Sequence, residues 1–150
     1  MAAHLDTTKQ TCNNVVSMDV KLAVLADYAS ITREGKLNIL GIFDSINPQK
    51  LPVALPIFYV VVAYTAGPAE YGAEKKTEVV LCDDDGKELF RTAQSIQVPR
   101  PTKGHVATAN QIGALMMLPF QKAGDYQFSI LVNGEEKTTI PLRVNEATQK

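Results

Sequence analysis

The chain has 150 residues, 45% hydrophobic and 21% charged, the composition of one globular domain long enough to bury its own core. Fifteen Lys and Arg against sixteen Asp and Glu leave a net charge of −1 with no basic block, which removes the footprint of a nucleic-acid binder. Two His and two Cys are too few for most dedicated metal sites or a disulfide framework, and no apolar run is long enough to span a membrane.

Residues 1–17 are polar and lack the continuous apolar stretch of a signal peptide, so they read as a flexible N-terminal extension. Within them Val15 and Val16 are the residues able to add to a neighbouring sheet edge. Cys12 and Cys82 fit reduced thiols, and the expected compartment is the cytoplasm. Residues 18–146 read as the folded domain and 147–150 as a C-terminal tail.

Local signals favour strands throughout. Val20, Leu22, Val24 and Ala26 alternate on one face, and the turn Arg33-Glu34-Gly35-Lys36 leads into a second alternating run, Leu37 to Ile46. That pair predicts a hairpin with Gly35 at positive φ. Pro48, Pro52 and Pro56 make residues 47–56 a crossing loop. Ile57 to Thr65 (IFYVVVAYT) is apolar on both faces, as a strand central in its sheet or covered on both sides must be. After a loop over 67–74, Lys76 to Asp83 and Lys87 to Val98 flank Asp84-Asp85-Gly86 as a second hairpin. Residues 98–106, with Pro99, Pro101 and Gly104, form another long loop. Ala107 to Phe120 fits period 2 about as well as 3.6; we read it as a strand, with a helix as the competing assignment. Tyr126, Phe128, Ile130 and Val132 then alternate up to Asn133-Gly134, and Thr138, Ile140, Leu142 and Val144 return, a strong hairpin signal. About eight strands and no firm helix predict an all-β fold, a single antiparallel β-sandwich with Ig-like or C2-like architecture.

Sites for chemistry are sparse. His105 lies in the loop PRPTKGHVA and could pair with Cys82, yet Cys82 sits within the strand EVVLC, where a free Cys behaves as a small hydrophobe. Asp83-Asp84-Asp85 could bind calcium but departs from the D-x-[DN]-x-[DN]-G loop and reads as a solvated turn. No phosphate-binding, nucleophile-elbow or metalloprotease motif occurs, so no catalytic, cofactor-binding or metal-binding residue is assigned. Met116 and Met117 fall on opposite faces of a strand, so one of them points away from a one-sided core; an interaction surface or a doubly covered strand would account for it.

The segments Ala26 to Ala29 (ADYA), Gly35 to Asn38 (GKLN) and Gly41 to Asp44 (GIFD) resemble a pattern shared by a widespread family of uncharacterised bacterial proteins. The closing stretch FQKAGDYQFSILVNGEEKTTIPLRV is similar to that family's last hairpin. The resemblance covers roughly Met18 to Val144 and implies a bacterial cytoplasmic β-protein, with no activity and no site residue to carry over.

The leading functional expectation is a non-enzymatic module that acts by protein–protein contact or self-association, with Val15, Val16, Met116 and Met117 as the candidate surface and no cofactor. The alternative is a small-ligand binder using the two Pro-rich loops and the tyrosines as a mouth. A third reading is an enzyme centred on His105.

Overall fold

The computed structural model describes residues 18–102 and 106–146. Among the described residues nine strands form in chain order: β1 Asp19–Ile31, β2 Leu37–Phe43, β3 Ser45–Ile46, β4 Val53–Ala66, β5 Glu74–Cys82, β6 Glu88–Gln97, β7 Ala107–Phe120, β8 Gly124–Val132 and β9 Glu135–Val144. A 3₁₀ turn, Pro68–Glu70, precedes β5. The strands make two packed sheets, four-stranded β2-β1-β4-β7 and five-stranded β3-β9-β8-β5-β6. This is the predicted all-β sandwich. It has one strand more than expected, because Ser45–Ile46 adds to β9, and that short pairing is parallel. Residues 107–120 are strand β7, as read.

The inner faces meet in one apolar core. Phe58 touches Phe43 and Phe128 edge-on, at ring distances of 5.9 and 6.0 Å, and Phe120 meets Tyr126 at 5.1 Å. Leu25, Leu81, Ile130 and Leu142 are fully buried around them. One polar chain crosses the core. The Tyr64 hydroxyl donates to Gln111 Oε1 at 2.9 Å, and Gln111 Nε2 donates to Thr77 Oγ1 and to Gln94 Oε1. Burial pushes the Tyr64 phenol up to about 12. Every buried side-chain polar atom among the described residues has a partner, so this network ties the two sheets together at no cost in unpaired groups.

The closing hairpin forms as its turn chemistry requires: Asn133 and Gly134 have φ of 50° and 84°. The Asn133 side chain also accepts from the Lys76 amide, fastening this turn to β5.

The first hairpin departs from expectation in two ways. A bulge between Val20 and Leu22 splits the predicted common face: Val20 packs on the core, whereas Leu22, Val24 and Ala26 lie on the outer side of the sheet. Gly41, at φ 71°, then turns the hairpin sharply, with the Asp27 carboxylate against the position a Cβ would take. The tip reaches β7, where Asn110 Nδ2 donates to the Gly35 carbonyl at 3.1 Å. Because β4 lies between β1 and β7, the hairpin must fold back across the outer side of its own sheet. Beneath it Ala26, Val61 and Ala63 are at most 3% exposed, which explains why β4 is apolar on both faces.

Strand β4 starts at Val53 rather than Ile57, so Pro56 lies inside it. Val53 and Leu55 face the core, as do Phe58 and Val60, so the strand changes face between them. β7 makes the matching change: Leu115 and Leu118 point inward, and Met117 between them has φ 54°. The register holds through the switch, because both strands turn together opposite Pro56.

Candidate interaction face

The face switch decides the fate of the two methionines. They do not divide between core and solvent: the left-handed backbone at Met117 sends both outward. Around them the outward positions of the four-stranded sheet carry Ile57 and Tyr59 from β4, Tyr28 from β1, and Leu40 and Ile42 from β2. Ile57 is the register partner of Met116 and Leu40 of Tyr28, while Tyr28 stands edge-on to Tyr59 at 5.5 Å. Tyr28, Leu40, Ile42, Ile57, Met116 and Met117 are between 46% and 69% exposed. They present on the order of 500 Å² of apolar surface, the upper end of what a monomer shows.

No charged residue occupies the outward register positions Leu22 to Tyr28 of β1, Ile57 to Ala63 of β4 or Asn110 to Met116 of β7. The two methionines were legible as candidates from sequence. Tyr28, Leu40, Ile42 and Ile57 were not singled out as a surface, since only the folded-back hairpin brings β2 and β1 beside them. Val15, Val16 and His105 lie outside the described residues.

The remaining clusters are accounted for by local structure. Asp83, Asp84 and Asp85 approach one another, but Asp83 Oδ1 accepts from the amides of Asp85 and Lys87, holding the β5–β6 turn. An open cleft of about 690 Å³ lies beside them, lined by Asp44, Asp125 and Arg143, and Arg143 is already paired with Asp125 at 2.8 Å. Cys82 carries a free, half-buried thiol, and burial together with Glu88 and Asp83 pushes it up, away from the reactive thiolate. The two Pro-rich loops sit at opposite ends of the sandwich. Residues 47–52 lead into Val53 opposite Phe120, whereas Val106 leads into Ala107 opposite Ala66, thirteen positions up the same ladder. They cannot form one mouth, which corrects the ligand-binding alternative.

A model for DUF6941, a family of unknown function, matches residues 21–145. Among solved structures the chain is similar to the C-terminal domain of Wzt, with a TM-score of 0.53 and 14% identity over 89% of this chain and 76% of that one. It is also similar to the Pseudomonas fluorescens alkylpurine DNA glycosylase AlkC bound to DNA containing an abasic site analog, with a TM-score of 0.49 and 9% identity. That match covers 87% of this chain but only 31% of the glycosylase chain. At such identities the likeness to Wzt shows the fold alone. No curated protein matches the sequence. Among the described residues no helix is long and apolar enough to cross a membrane.

Proposed function

The chain belongs to the DUF6941 family, whose function is unknown, and we propose that it works without catalysis, as a β-sandwich that self-associates through the apolar side of its four-stranded sheet. The observation that carries this reading is the contiguous apolar surface around Met116, Met117, Ile57, Tyr28, Leu40 and Ile42. Apart from the exposed Asp27 carboxylate against Gly41, this surface is apolar, and a second copy supplies a matching apolar surface. A reducing compartment such as the cytoplasm suits the free Cys82 thiol.

Sedimentation velocity over a wide range of concentration tests the reading. The wild type should form a dimer, and Met116→Lys should sediment as a monomer with an unchanged melting temperature, because the side chain is exposed in the single chain. A wild type that stays monomeric at every concentration would overturn it.

A further inference from the structure

We infer that the second copy joins along β7, antiparallel about a two-fold axis at Ile112, so that two four-stranded sheets become one of eight strands and Met116 of each copy enters the cleft beside Thr108 of the other. This rests on the self-association proposed above and places the seam at the β7 end of the apolar surface, by Met116; Tyr28, Leu40 and Ile42, on β1 and β2 across the sheet, lie outside it.

The first support is the chemistry of the sheet edges. A free strand edge invites pairing, and proteins blunt it with charge, proline, bulges or shortness. β3 is two residues long, and β6 carries Glu88 and Arg91. β2 is bent at Gly41 and folded back. β7 has fourteen residues, pairs on one side only among the described residues, and contains no Asp, Glu, Lys or Arg. Its Pro119 and the left-handed Met117 sit together at the lower end, leaving Ala107 to Met116 regular.

The second support is the direction of the unpaired backbone groups. Pro119 stands opposite Ala54 and has no amide hydrogen, so this pair exchanges no hydrogen bonds. In a strand of L-residues the side-chain face and the side to which N–H and C=O turn alternate together. Pro119 points its side chain outward, so the outward residues of β7 are the ones whose backbone groups face the open edge. Those are Thr108, Asn110, Ile112, Ala114 and Met116, a row of donors and acceptors with no strand beside it among the described residues. An axis at Ile112 sets Asn110 against Ala114 and Thr108 against Met116, each pair mutually bonded and repeated by the symmetry.

The third support is a shape that this register fills. A shallow cleft of about 410 Å³ flanks Thr108, walled by Ile31 and Gly35 of the folded-back hairpin and by Ile96 and Pro99. Met116, 69% exposed and with a flexible thioether, is the side chain the axis delivers there.

Residue-resolved amide hydrogen exchange on the whole chain, dilute and concentrated, tests the geometry. Gln111, Gly113 and Leu115, bonded to β4, should exchange slowly at both concentrations. Ile112 and Ala114 should slow by about tenfold or more as the protein is concentrated. If sedimentation shows a dimer while Ile112 and Ala114 stay fast, edge pairing is wrong and self-association stands. A concentration-independent monomer removes both. Ala114→Pro supplies a second reading: it deletes an amide that faces the open edge and no bond to β4, as Pro119 already does. It should keep its melting temperature and weaken the dimer by about tenfold or more. A variant dimer as tight as the wild type would sink the β7 pairing and leave contact between the outer surfaces alone.

Discussion

The outer sides of the two sheets meet water in opposite ways. On the five-stranded sheet Glu78, Arg91 and Glu88 form one ion-paired group, and Arg143 pairs with Asp125. Arg91 holds the Glu88 carboxyl below its usual range, and both arginines are pushed up by their partners. Along β5 Thr77, Val79 and Leu81 face inward, while Glu78 and Val80 face outward and are buried beneath neighbouring side chains, Glu78 in its ion pair with Arg91. On the four-stranded sheet β4 is apolar on both sides, and its own hairpin covers only part of the outer one. An exposed apolar patch of this size is the surface that the proposed self-association would cover.

The comparison can be tested at β4, where Phe58 and Ile57 face opposite ways. Phe58→Ala removes a ring packed between Phe43 and Phe128 and should cost about 3–5 kcal/mol in urea denaturation. Ile57→Lys, one residue away, should change monomer stability by no more than about 0.5 kcal/mol. Equal losses would mean that the outer side is as tightly covered as the core.

The link between the sheets should show itself in alkali. The folded Tyr64 phenol titrates near 12, above its ordinary 10. The unfolded chain therefore gives up this proton first, and stability present below pH 10 is lost as pH rises through the folded value. The loss from this group is about 2–3 kcal/mol. Denaturation midpoints across that range should fall for the wild type and fall less steeply for Tyr64→Phe.

A smaller effect separates the covered from the bare part of the outer side. Gly41→Ala places a Cβ against the Asp27 carboxylate at a backbone angle that L-residues avoid, for a cost of about 2 kcal/mol. Its damage should be local: amides of the hairpin over 28–40 should exchange faster while those of β8 and β9 do not. Uniform loosening would show that the hairpin is part of the global fold rather than a cover laid over it.

The closing hairpin was legible because Asn133-Gly134 carries its own instruction: a turn with positive φ at both central residues sets the register of everything on either side. The double-sided apolarity of Ile57 to Thr65 likewise announced a strand central in its sheet or covered on both sides; β4 is central, and its outer side is covered only in part. The interaction face was only half legible. Alternation placed Met116 and Met117 on opposite sides, and nothing local signals that Met117 takes a left-handed conformation, which a Met adopts only when its surroundings impose it. Here the partner strand imposes it, since β4 switches faces at Pro56 and β7 must follow to keep Leu118 and Phe120 in the core. The bulge after Val20 and the bend at Gly41 are of the same kind, set by which surface needs covering. Period, turn chemistry and composition are properties of short segments, so the sequence by itself determined the strands, the tight turns and the all-β class. Which side of a strand faces water depends on what packs over it from far along the chain, and only the tertiary structure decided that.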